Sequence, residues 1–158
     1  MELRIEATDL PGLACAPGPG FPGADNVHVG VQRKDRPAEL LGLTPGDAPS
    51  AEWTLSCEPI RTGTGIELRG RYIQNRLGGR FVYLSWVAVG QNGEATMFRR
   101  AKVMLNAIPP DVVDAAIRSG QLIARLGLTD AKGHPLCASV RPPLVQWVAG
   151  PADQPLPR

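Results

Sequence analysis

The chain has 158 residues, carries 17 basic and 15 acidic side chains for a formal net charge of +2, and contains 18 glycines and 16 prolines. That length suits one domain with a single sizeable core. So small a charge excludes the electrostatic footprint of a nucleic-acid or acidic-membrane binder.

Taken in order, Glu2 to Thr8 alternates Leu3, Ile5 and Ala7 against Glu2, Arg4, Glu6 and Thr8, the pattern of a half-buried strand. Repeated Pro and Gly make Leu10 to Asp25 a long loop. Val27 to Lys34 resumes alternation, and Asp35 to Ser50 reads as a second irregular passage. Trp53, Leu55 and Cys57 alternate with Glu52, Thr54, Ser56 and Glu58 as a third strand, and Thr62 to Gly65 turns the chain. A fourth strand covers Ile66 to Gln74, where Gly70 falls on the inward face and leaves room for a close approach.

Two apolar runs around a Gly- and Asn-bearing turn form the central hairpin. Phe81 to Val89 is apolar on both faces, with Tyr83 and Ser85 as the hydroxyls of one face, so it needs cover on both sides. Met97 to Leu105 carries Arg99, Arg100 and Lys102. By alternation Arg99 lies with Met97, Val103 and Leu105, while Arg100 and Lys102 lie with Phe98 and Met104.

Pro109 to Gly120 is the expected helix. It has a Val112, Val113, Ala116, Ile117 stripe, acidic residues at its start and glycine at its end. Strand grammar returns over Leu122 to Leu128, a turn spans Thr129 to Gly133, and strands follow at His134 to Val140 and Val145 to Val148. The expected fold is all-β: an antiparallel sandwich or small barrel with one short helix, a single domain over residues 1–150, and a polar tail over 151–158.

There is no apolar run of ~20 residues and no charged-then-apolar leader, so a cytoplasmic protein without a membrane association is expected. Three cysteines are too few for a disulfide scaffold, and in a reducing compartment all three thiols are expected free.

The segments DNVHVGVQRK, RFVYLSW, MFRRAKVML and GLTDAKGHPLCASVRPP resemble an uncharacterised actinobacterial family, a domain of unknown function. The similarity runs from ELRIEATDLPG to Trp147. It implies a small stand-alone bacterial protein, supplies no activity or cofactor, and draws attention to Arg99, Arg100, Lys102 and Asp130 to Cys137 without giving them roles.

Little else in the chain has the spacing of known chemistry. His28, His134, Cys57 and Cys137 lack zinc-ligand spacing, so no metal and no cofactor are expected. Ser85, His134 and Asp130 are the components of a triad, but Ser85 is mid-strand without a nucleophile elbow. Arg76-Leu77-Gly78-Gly79-Arg80 fits a plain hairpin turn better than a phosphate cradle.

The remaining candidate is a ligand-binding set on the central strands: Arg99, Tyr83, Ser85, Tyr72, Arg100 and Lys102. Arg99, with the most apolar neighbours, is expected to be desolvated. The competing reading pairs an inward arginine with Glu52, Glu58 or Asp130. The expected function is binding of a small polar or anionic molecule or of a protein partner. The alternative is a cofactor-independent cyclase or isomerase with an enclosed pocket.

Overall fold

The computed structural model describes residues 1–10, 15, 27–36, 39–45, 48–63, 65–76, 79–90, 92–105, 108–129, 132–133 and 144–151. Its strands are β1 (Glu2–Thr8), β2 (Val27–Gln32), β3 (Leu40–Pro45), β4 (Ser50–Ser56), β5 (Glu58–Thr62), β6 (Gly65–Arg69), β7 (Gln74–Arg76), β8 (Gly79–Val89), β9 (Ala95–Met104), β10 (Gly120–Gly127) and β11 (Leu144–Pro151). One helix, α1 (Pro110–Ser119), separates β9 from β10. The strand expected over His134 to Val140 and the tail beyond Pro151 lie outside the described residues.

Two sheets share one core. The first runs β11-β10-β1-β4, and the second joins β3, β2, β8 and β7, with β9 also paired to β8. β5 and β6 form a separate hairpin. The architecture is a sandwich. The barrel alternative falls because, among the described residues, neither sheet closes on itself. At the corner where closure would begin, no ladder joins β3 to β4. There the Trp53 indole N–H of β4 donates instead to the Gly42 carbonyl of β3 at 3.0 Å.

Among the described residues pairing is antiparallel except for β1 with β10, which run parallel. Parallel neighbours need a long connection, and α1 lies on the one that leads into β10.

β8 occupies the centre its sequence calls for. β2 and β7 share one of its edges and β9 takes the other. Phe81, Val82, Leu84, Ser85, Trp86, Val87 and Ala88 are all buried, which accounts for apolar side chains on both faces. Leu3, Ile5, Val29, Val31, Trp53, Leu55, Leu68 and Leu84, the core set read from alternation, join one cluster. Alternation in the sequence places Arg4, Glu6, Glu67 and Arg69 in solvent; Arg69 is exposed, while Arg4, Glu6 and Glu67 are half-buried because ion pairs hold them down.

β3 falls in a passage that reads as irregular. It is short and bulged: Gly42 has φ 50°, and the β2–β3 register shifts between Val29 and Val31. The expected fourth strand is in fact two, because the chain turns at Gly70, where the Ile73 N–H reaches the Gly70 carbonyl at 3.3 Å. A Cβ on Gly70 would stand 2.7 Å from the Ser56 carbonyl oxygen, so the close approach expected there is made by backbone.

α1 begins within one residue of its expected start and ends on Gly120. That residue takes φ 82° and donates its N–H to the Ala116 carbonyl. The helix packs on β10 and β11 and buries Val113 and Ala116. Ile117 leaves the expected stripe, at 42% exposed. Among the described residues no helix is long and apolar enough to cross a membrane.

Candidate functional site

The face of β8 turned away from the core carries Phe81, Tyr83 and Ser85. Register sets Ser85 opposite Arg100, Tyr83 opposite Lys102 and Phe81 opposite Met104. Each cation then leans one pair along the ladder. The Arg100 guanidinium carbon lies 4.5 Å from the Tyr83 ring centroid, and Lys102 Nζ lies 3.9 Å from that of Phe81. The two rings meet edge to face, 5.1 Å apart.

Ring quadrupoles attract both cations and restrict their rotamers. Both side chains remain exposed, and no carboxylate among the described residues pairs with either. The result is two partly ordered cations with donors to spare.

Beneath them the face is polar but closed. Ser85 is fully buried and donates its hydroxyl to Gln32 Oε1 at 3.2 Å, with Gln32 itself 3% exposed. That bond satisfies the Ser85 donor and the Gln32 side-chain carbonyl, the usual condition for burying such groups. Ser85 therefore works as a structural hydroxyl. It sits in mid-strand away from solvent, where a nucleophile would have no access to substrate.

The structure thus brings together Tyr83, Ser85, Arg100 and Lys102 from the expected set and separates Arg99 and Tyr72 from them. Arg99 is exposed rather than desolvated. It sits opposite Trp86, on the other side of the strand from Arg100, and Nη1 donates to the neighbouring Phe98 carbonyl at 3.2 Å. A bulge between the Trp86–Arg99 and Val87–Met97 pairs breaks the alternation that would group Met97 with Arg99. Two residues were missed from sequence: Phe81 and Gln32. For Phe81 the signal was available, since it precedes Tyr83 by two and so shares its face. For Gln32 there was none, because its proximity to Ser85 depends on strand order.

Tyr72 lines a different hollow of about 530 Å³, with Ser56, Cys57, Glu58, Arg69, Gly70 and Arg71. Cys57 is free, and burial pushes its thiol up to about 11, so at neutral pH it is protonated and a poor nucleophile.

Cys15 is disulfide-bonded, which corrects the expectation of three free thiols; Cys137 lies outside the described residues. Since a disulfide takes two of the chain's three thiols, the unfolded, unreduced protein should titrate one. The native protein should titrate none at pH 7 within minutes, because that one is Cys57. Counting with a chromogenic disulfide reagent checks both values, and a count of three in denaturant would contradict the bridge.

The outer face of the other sheet is also charged, but there the charges are matched. Glu6 accepts from Arg4 at 2.6 Å and from Arg125 at 3.0 Å, and Arg4 also approaches Glu52 at 3.6 Å. An adjoining hollow of about 380 Å³ touches Glu6, Thr8 and Arg125. Cations engaged by carboxylates have less to offer an anion, so the β8–β9 face is the better site.

Among the described residues no group of three or more His, Cys, Asp and Glu side chains could hold a metal ion. His134 and Asp130 of the sequence-level triad lie outside the described residues. The β7–β8 ladder pairs Arg76 with Gly79, and the turn expected between them, Leu77 and Gly78, lies outside the described residues.

No curated protein matches the chain, and no solved structure does. The sequence model of a family of unknown function, DUF5990, matches residues 1–150, and the chain belongs to that family.

Proposed function

We propose that this protein is a binding module that holds a small anionic or polar molecule on the outer face of β8 and β9. The observation that carries this reading is the pair of exposed cations, Arg100 and Lys102, each seated on an aromatic ring and neither engaged by a carboxylate among the described residues. Arg4, Arg33, Arg36, Arg61, Arg69 and Arg125 reach acidic partners, and although exposed Arg71, Arg99 and Arg118 have none among the described residues, only Arg100 and Lys102 there are also seated on rings. Cations left without partners cost little in water, and they supply charge-assisted hydrogen bonds to a ligand that brings its own negative charge.

A thermal-shift panel of carboxylates and phosphates tests the reading on wild type and on the Arg100→Gln/Lys102→Gln double variant. At least one compound should raise the wild-type Tm, and that shift should vanish in the double variant. Without ligand, the variant should melt no more than about 6 °C lower, because only two exposed cation–π contacts are lost. A shift of equal size in both proteins would place binding elsewhere and refute the proposal. Turnover of the stabilising compound would favour the cofactor-independent enzyme instead.

A further inference from the structure

Resting on the anion-binding reading above, we propose that the β8–β9 face takes a dianion: a small molecule with two negatively charged groups joined by a short chain, one for Arg100 and one for Lys102. The two cations stand two residues apart on one face of an extended strand, which spaces their attachment points by roughly 7 Å. Arg100 lies over Tyr83, the cross-strand neighbour of Lys102, and Lys102 lies over Phe81, one pair further on. Both side chains are therefore displaced in the same direction, and each charge has a seat of its own. The rings that seat them are 5.1 Å apart, so the two seats lie closer together than the attachment points. One carboxylate or phosphate bridging both heads would give each a single oxygen, whereas two such groups on a short linker let Arg100 keep both oxygens of one group and give Lys102 a group of its own.

The seats also supply order in advance. A guanidinium held against a ring keeps N–H donors at its edge, in the planar fork that matches a carboxylate. The ammonium offers a point charge with three donors. Restricting both heads before binding lowers the entropy that a ligand must otherwise overcome. The buried hydroxyl of Ser85 is already committed to Gln32, so the recognition lies in the two charges and their separation.

Glutarate, with three methylenes between its carboxylates, is the probe. Its monomethyl ester keeps the chain and removes one charge, and inorganic phosphate reports on single-group anion binding. Titrations of isotope-labelled protein, followed by amide shifts of β8 and β9 at low ionic strength, give the three affinities. Glutarate should bind at least about fivefold more tightly than its ester. Arg100→Gln and Lys102→Gln should each erase that preference, and salt should reduce it. Equal affinity of glutarate and ester, with shifts on this face, would overturn the dianion inference and leave the anion site standing. A preference that survives in both variants would overturn it too, by placing the dianion elsewhere. If glutarate, its ester and phosphate all leave β8 and β9 unperturbed, the inference falls together with the reading it rests on.

Discussion

Trp53→Phe should destabilise the protein more than Trp86→Phe, although Trp86 is the more deeply buried of the two. Trp53 is 4% exposed and Trp86 is 0%. Counted by volume alone, Trp86 would be the costlier site. Hydrogen bonding reverses the order. The Trp53 indole donates to the Gly42 carbonyl on the opposite sheet at 3.0 Å, whereas the Trp86 indole N–H is enclosed with no acceptor among the described residues.

Phenylalanine at 53 loses a bond worth about 1 kcal/mol, leaves a bulge carbonyl without its partner and opens a small cavity, for a total of about 2–3 kcal/mol. The same change at 86 opens a cavity but removes an unsatisfied donor whose burial costs about 1–3 kcal/mol. The net effect there should be between zero and about 1 kcal/mol. Trp53→Ala, which removes the packing as well, should reach about 3–5 kcal/mol. Urea melts followed by far-UV circular dichroism measure all three. A Trp86→Phe cost equal to or above that of Trp53→Phe would show that packing, and not the inter-sheet hydrogen bond, governs this corner.

Gly70→Ala is expected to cost about 1–3 kcal/mol, the range for forcing extra atoms into filled space. The added Cβ would lie 2.7 Å from the Ser56 carbonyl oxygen and 3.6 Å from Cys57 Cα. Both neighbours are backbone, so relief requires moving the strand end. Gly150→Ala makes a useful contrast. Its Cβ would approach Gln121 Oε1 at 2.6 Å and Ile123 Cδ1 at 2.9 Å, but these are tips of side chains that can rotate away. Gly127→Ala meets nothing within 4 Å. The order of destabilisation should be Gly70 first, Gly150 second and Gly127 last, read from denaturant midpoints at constant m-value. A Gly70 variant as stable as the Gly127 variant would mean that the β4–β6 approach is looser than the geometry says.

Much of this architecture is a consequence of local pattern. Period-two alternation put Leu3, Ile5, Val29, Val31, Trp53, Leu55, Leu68 and Leu84 into one core, since outside β8 each of these strands has one apolar face to bury. The double-sided apolarity of Phe81 to Val89 placed that strand at the centre of its sheet. Gly120 at the end of an amphipathic run marked where the helix stops. Gly70 was recognisable as a place of close contact, because a missing side chain on an inward face has few other uses.

What escaped the sequence depends on contacts between residues far apart in the chain. Alternation assigned Arg99 the apolar side of its strand, and register does set it opposite Trp86, yet its guanidinium is exposed, and the bulge beside it takes Met97 out of that count. Tyr72 and Tyr83 looked like neighbours on adjacent strands, until the turn at Gly70 sent Tyr72 to the hollow beside Cys57. The pairing of Ser85 with Gln32 needs β2 next to β8, and the seating of Arg100 and Lys102 on Tyr83 and Phe81 needs the exact β8–β9 register. Strand order and register are chosen by the total packing of both sheets, a sum over the whole molecule that no single stretch contains. The sequence by itself therefore determined which side chains are apolar enough to be buried and which cations were available. Only the tertiary structure decided that Arg100 and Lys102 sit together on aromatic rings without acidic partners among the described residues, because that depends on which residues the other strands bring alongside them.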